Sequence, residues 1–462
     1  MSDAINLTHK LLKAVLAVSV SAASMIAALT PGQAFAAGKF TLLYTFTGGS
    51  DGEFPEAGLT IDTTNDTGAL YGTTFGAFGS APGKNCSKGC GNQYSFVNGH
   101  LSTNHSFHAG NDGAFPTGEV AVRKGTIYGT TERGGGSACG GSGCGTAFLL
   151  PAKGGETVFR FCTYEFPACT KGALPHAGPI LDGEGNAYGT TALGGTATGY
   201  ECSSNFEGCG TVYMLTPTLG ETVLYNFCSK SRCRDGSIPL GRLSRDDTGN
   251  LYGTTQFGGD YGAGTVFELQ QTNGKYTHHV LYSFCQKNLT GCPDGAIPEA
   301  GVIEDKAGNL YGTASAGGGG GCEGSTPGCG VVYKLAPDGT YVVLHAFAGG
   351  KDGALPQAPL VVDGAGTLYG TTLKGGNGTD CKNKTEGCGT VFALTPDGTE
   401  TPIYIFSSQS NGRQPEGALL LKNGYVYGAA RVGGVSESKC DCGTLFKIKV
   451  AGMPPTGAWR SR

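Results

Sequence analysis

Short runs of aliphatic, aromatic and β-branched residues alternate with turn residues from residue 38 to residue 450. Each run is too short for a helix, and no stretch after residue 37 places apolar residues at helical spacing. The text Leu70-Tyr71-Gly72-Thr73-Thr74 returns in recognisable form, with tyrosines at Tyr128, Tyr188, Tyr252, Tyr311, Tyr369 and Tyr427. Successive spacings are 57, 60, 64, 59, 58 and 58 residues, a period that marks a propeller or a solenoid.

One unit shows the pattern. Leu360-Val361-Val362-Asp363 follows Pro356, and Gly364-Ala365-Gly366 turns the chain. Strands are then expected at Thr367–Thr372, Gly389–Leu394 and Pro402–Phe406, with a glycine-rich cysteine loop after the first of these. Seven such four-stranded units predict an all-β, seven-bladed β-propeller of antiparallel blades. A β-solenoid is the rival, though it would favour shorter and more numerous coils. The expected domains are a secretory signal over residues 1–37, one propeller over 38–450 and a polar tail over 451–462.

The signal reading rests on a basic start (His9, Lys10, Lys13), an apolar run from Ala14 to Leu29, and Ala34-Phe35-Ala36 as a cleavage text. No second apolar span follows, so a secreted or periplasmic protein without a membrane span is expected. The formal net charge of −4 gives no reason to expect nucleic acid or an anionic membrane as partner.

Eighteen cysteines fall into nine local pairs. Six follow the Tyr-Gly-Thr-Thr strand: Cys86–Cys90, Cys139–Cys144, Cys202–Cys209, Cys322–Cys329, Cys381–Cys388 and Cys440–Cys442. Three follow a Tyr-x-Phe strand or its equivalent: Cys162–Cys169, Cys228–Cys233 and Cys285–Cys292. Partners are present or absent together across the repeats, as bonded pairs should be. In an exported chain this predicts disulfides rather than zinc, each worth roughly 2 kcal/mol. Cys440–Cys442 spans a single residue and is the doubtful pair.

The repeat resembles the GloVer tandem repeat of exported bacterial proteins, on Leu251-Tyr252-Gly253-Thr254-Thr255, Gly258-Gly259 and Gly264-Thr265-Val266-Phe267-Glu268-Leu269. That resemblance covers nearly all of the mature chain and implies export, but carries no catalytic set that maps onto these residues. The text Pro-x-x-Gly-Leu-x-x-Asp followed by Gly-Asn-Leu-Tyr is weakly similar to NHL-type propellers. That similarity implies that the run after the proline is innermost and lines the channel. The strand Phe40–Phe46 would then complete the last blade by pairing with Gly443–Val450. The alternative phase, with no strand exchanged between the chain ends, stays open.

Whichever phase holds, the cysteine loops and the Asp-Gly connections share one face, and long loops on a rigid scaffold are where function concentrates. Asp51, Asp112, Asp235, Asp294 and Asp352 recur there and are read as turn chemistry. Binding candidates are sought where the repeat is broken. Glu119 and Arg242 replace small residues three after the opening proline, and Arg245 and Glu304 interrupt an aliphatic series six after it. Lys171, His176, Glu132, Arg133, Lys374 and Arg431 depart from their units on the long-loop face. Compensating ion pairs would explain them equally well. Sialidase boxes, nucleophile elbows, zinc-protease and phosphate-loop motifs are absent, and the sole tryptophan is Trp459. No cofactor and no metal are expected. The preferred reading is a monomeric binding or scaffold module for a protein or polysaccharide. The alternative is an extracellular lyase or hydrolase acting on carbohydrate or lactone.

Overall fold

A computed structural model describes residues 38–76, 89–163, 169–197, 208–286, 291–319, 321–322, 328–376, 381, 387–434 and 440–450. The strands form seven antiparallel sheets that follow one another around a central channel. The fourth blade is typical: Ser244–Arg245 is innermost, followed outward by Leu251–Thr255, Thr265–Thr272 and Lys275–Ser283. Inner strands are shorter than the pattern suggests, two or three paired residues each, and in the first blade the inner pairing is the Thr60–Tyr71 bridge. Among the described residues the only helical segments are three single 3₁₀ turns.

The ring is closed by its ends. Phe40–Thr45 pairs antiparallel with Thr444–Lys449 as the outermost strand of the seventh blade. The exchanged-strand phase is therefore correct, and the alternative is not.

Each letter of Leu-Tyr-Gly-Thr-Thr has a separate physical task. The leucine is buried between blades, as at Leu251 and Leu310. The tyrosine hydroxyl donates to the aspartate of the preceding short turn, as from Tyr311 to Asp305 at 3.0 Å and from Tyr369 to Asp363 at 3.0 Å. The glycine leaves room for an aromatic ring of the third strand: a Cβ on Gly253 would sit 2.6 Å from Phe267 Cζ. The first threonine reaches the next blade, as in Thr254 Oγ1 to Ala300 O at 2.7 Å. The second bonds a threonine of the third strand within its own blade, as Thr255 does with Thr265 at 2.8 Å. The buried hydroxyls of Thr254 and Thr255 are thus both satisfied.

Seven of the nine predicted disulfides lie among the described residues, with Cα–Cα distances from 4.0 Å (Cys228–Cys233) to 5.5 Å (Cys381–Cys388). Cys440 and Cys442, the pair the sequence left open, are also joined, with Cα atoms 5.1 Å apart. Cys90 and Cys209 are disulfide-bonded, and their expected partners Cys86 and Cys202 lie outside the described residues. In the fourth blade Ala263 takes the cysteine's place and packs against the Cys285–Cys292 bridge. No helix of the described residues is long and apolar enough to cross a membrane.

Candidate functional site at the channel mouth

The residue before each opening proline has a left-handed backbone: Phe54, Phe115, Leu174, Ile238, Ile297, Leu355 and Gln414 have φ between 56° and 60°. For bulky or β-branched residues this conformation is costly and persists only where the surroundings enforce it. Two backbone hydrogen bonds do so at every blade junction. Ile238 N, for example, donates to Cys209 O at 2.9 Å, and Gln256 N donates to Ile238 O at 2.9 Å. The bridged cysteine of one blade thereby sets the turn into the next blade's inner strand. The adjacent glycine must be glycine, since a Cβ on Gly264 (φ 101°) would lie 2.5 Å from Pro298 Cδ.

This turn delivers the residue after each proline to the mouth of the channel on the long-loop face. Glu56, Thr117, His176, Glu299, Gln357 and Glu416, with Leu240, ring a cavity of about 260 Å³. A second ring stands behind them, supplied by the residue after each Tyr-Gly-Thr-Thr strand or its equivalent. From it Arg431 Nε lies 2.7 Å from Glu56 Oε1, and Arg431 Nη1 lies 3.3 Å from Glu416 Oε1. Gln256 Nε2 donates to Glu299 Oε1 at 2.9 Å. Glu299 Oε2 is buried and accepts from no donor among the described residues.

Burial pushes the Glu56 carboxyl up to about 7, Arg431 opposing and Glu416 reinforcing the shift. Burial also raises Glu416, again against Arg431. The floor of the cavity is an ion pair. Arg242 Nη1 donates to Glu119 Oε2 at 2.7 Å, linking the second blade to the fourth across the third.

The candidates read from the sequence separate into groups. Glu119, Arg242 and His176 line the cavity, and Arg431 stands directly behind it. Glu132 pairs with its neighbour Arg133 at 3.3 Å. Arg245 and Glu304 do not line the cavity: Arg245 lies over the Tyr188 ring at 5.8 Å, and Glu304, pushed up to about 7 by burial and nearby carboxylates, faces Asp246 and Asp305. The backbone of Lys374 is bridged to Ala354. Lys171 belongs to the outer rim, 3.2 Å from Glu221 and above the Phe159 ring. Sequence reasoning missed Glu56, Glu299, Gln357 and Glu416. The signal was available: position one after the proline is polar in six of seven units, on the face that carries the long loops.

Asp235 shows the architectural use of a recurring Asp-Gly aspartate. Asp235 accepts from Tyr225 Oη at 2.7 Å, Ser229 N at 2.9 Å and Ser229 Oγ at 2.8 Å.

The sequence pattern described as the Gloeobacter/Verrucomicrobia repeat matches residues 76–323 and 294–456. No curated protein matches the chain. Among solved structures, a gluconolactonase from Xanthomonas campestris is similar at 11% identity and a TM-score of 0.42, covering 90% of this chain and 91% of that one. A putative 6-phosphogluconolactonase from Bacteroides uniformis is similar at 12% identity and a TM-score of 0.43, covering 75% and 84%. A putative oxidoreductase (glucose dehydrogenase) from Thermus thermophilus is similar at 17% identity and a TM-score of 0.40, covering 77% and 100%.

Proposed function

This chain belongs to the Gloeobacter/Verrucomicrobia repeat family, and we propose that it is an exported binding module that takes a sugar unit of a polysaccharide into the channel mouth on its long-loop face. The observation that carries this reading is Glu299 Oε2, a buried acceptor beside the cavity with no donor among the described residues. Buried polar atoms are nearly always satisfied, and a ligand hydroxyl would satisfy this one. The lining suits a sugar because it mixes acceptors (Glu56, Glu299, Glu416) with donors (Thr117, Gln357), and each sugar hydroxyl is both. Export is supported by the seven bridges, which persist in oxidising compartments.

The enzyme reading has one observation in its favour. Burial raises the Glu56 carboxyl to about 7, within the range a general acid needs at neutral pH, and Arg431 bridges it to Glu416. An array of neutral, acidic and amino glycans together with peptides, probed with the purified chain, tests the proposal. Retention of a glycan family without turnover supports it. Retention of peptides alone contradicts it, and cleavage of the bound glycan selects the enzyme.

A further inference from the structure

At each blade junction the outer rim carries a three-membered cluster. It comprises the first ring of the Tyr-x-Phe strand, the residue before the Asp-Gly glycine, and a residue of the next blade's outer strand. Three junctions fill the third place with a ring: His278 beside Tyr225, Tyr341 beside Tyr282 and Phe40 beside Tyr404. Tyr282, hydrogen-bonded to Asp294 at 2.7 Å, stacks on Tyr341 at 3.9 Å. Three junctions place a glutamate there instead: Glu156, Glu221 and Glu400.

Glu221 shows what such a glutamate requires. Its side chain is only 2% exposed, and the aspartate of that junction is replaced by Lys171, whose Nζ lies 3.2 Å from Glu221 Oε2. The tyrosine is replaced in step by Phe159, above which Lys171 sits at 5.9 Å. A built-in cation thus stands among the three positions. At the other two junctions the lysine is missing. His105 Nε2 lies 3.0 Å from Asp112 Oδ1 and 3.6 Å from Glu156 Oε1, and His345 Nε2 lies 3.0 Å from Asp352 Oδ1 beside Glu400. In each cluster the three donor atoms lie within 4.8 Å of one another. Glu156 Oε1 and Glu400 Oε1 are both buried and accept from no donor among the described residues. Two carboxylates and one imidazole converge where the sister junction needs a positive charge.

We propose that His105–Asp112–Glu156 and His345–Asp352–Glu400 are two equivalent sites for a divalent transition-metal cation, each clamping one blade to the next. One imidazole nitrogen with two carboxylate oxygens is a donor set for zinc or manganese. Calcium is disfavoured, since it takes six to eight oxygens and no nitrogen. Three protein donors leave a further coordination position for solvent. The sites belong to the rim and are independent of the channel mouth.

The repeat itself supplies variants that should fold. Tyr44, Tyr225 and Tyr282 occupy the histidine position at other junctions and hydrogen-bond the local aspartate. His105→Tyr and His345→Tyr therefore restore a pairing that this fold already uses. The tag-free full chain, stripped with chelator, is titrated with zinc or manganese chloride by calorimetry, and retained metal is measured after dialysis. The wild type is expected to hold about two equivalents, each single variant about one and the double variant none. Metal is expected to raise the melting temperature of the wild type but not of the double variant. A wild type that retains no metal, a single non-equivalent site, or binding that survives both substitutions overturns the proposal.

Discussion

Arg242 Nη1 meets Glu119 Oε2 at 2.7 Å although their blades are not neighbours. The contact passes over Gly178 of the intervening blade, which is glycine because a Cβ there would fall on the Glu119 carbonyl. The two side chains are 27% and 14% exposed, so each charge depends on the other. Glu119→Ala or Arg242→Ala should each cost about 1–3 kcal/mol, and the double substitution should cost less than the sum. Urea unfolding of the four proteins tests this, and additive losses would refute the coupling.

The close approach of inner strands makes a sharper steric prediction. Gly178→Ala and Gly301→Ala drive a methyl into the carbonyls of Glu119 and Arg242 respectively. Overpacking of this kind costs typically about 1–3 kcal/mol and more where only backbone can yield. Gly183→Ala, where nothing lies within 4 Å, should be close to neutral and serves as the control. Melting temperatures that fall equally for all three would contradict the inner-strand packing.

The fold was legible because each letter of the repeat has a fixed task, and a task repeated seven times leaves a trace in the sequence. The closure by Phe40–Thr45 was legible less directly: its Tyr44-Thr45-Phe46 text matches the outer strands, but the strand phase came from the similarity to NHL-type propellers, and the repeat alone left the unexchanged phase open. The mouth was legible only in part. Glu119, Arg242 and His176 were found as breaks in the repeat, but the ring position runs Glu56, Thr117, His176, Leu240, Glu299, Gln357 and Glu416, polar in six units with no fixed residue, so its other members did not stand out as departures. The rim clusters were hidden differently. His105 and His345 stand at tyrosine positions that packing alone explains, and their glutamates arrive from the next blade, a register that only the folded ring reveals.

Acid should favour the fold through Glu56. Its carboxyl is raised from 4.5 to about 7 in the folded protein, so the folded chain holds this proton more tightly than the unfolded chain. The resulting stabilisation is complete below about pH 4.5 and is lost as pH rises through about 7. Glu416, Glu132 and Arg431 face the same group. Glu56→Gln has no proton to lose, so wild type should melt progressively lower relative to this variant between pH 4.5 and pH 7. Parallel melting profiles would remove the argument.

The bridges pin loops rather than strands. Unit four lacks the loop pair yet keeps Leu251, Val266 and Phe267 fully buried. Reduction should therefore speed hydrogen exchange first at the left-handed turns, whose amides donate to cysteine carbonyls, as Leu174 does to Cys144 at 2.7 Å. The Tyr-Gly-Thr-Thr strands should keep their protection. Simultaneous loss in turns and strands would show that the bridges hold the whole ring.

The central claim concerns the mouth, and one titration tests it most directly. A glycan retained on the array is titrated calorimetrically into wild type, Glu299→Gln and Gln357→Trp, with melting temperatures confirming that each variant folds. The account predicts about tenfold weaker binding for Glu299→Gln, the loss of roughly one charge-assisted hydrogen bond. It predicts no measurable binding for Gln357→Trp, whose ring fills the cavity. Affinities equal to wild type in both variants would place the ligand elsewhere on the long-loop face and contradict the account.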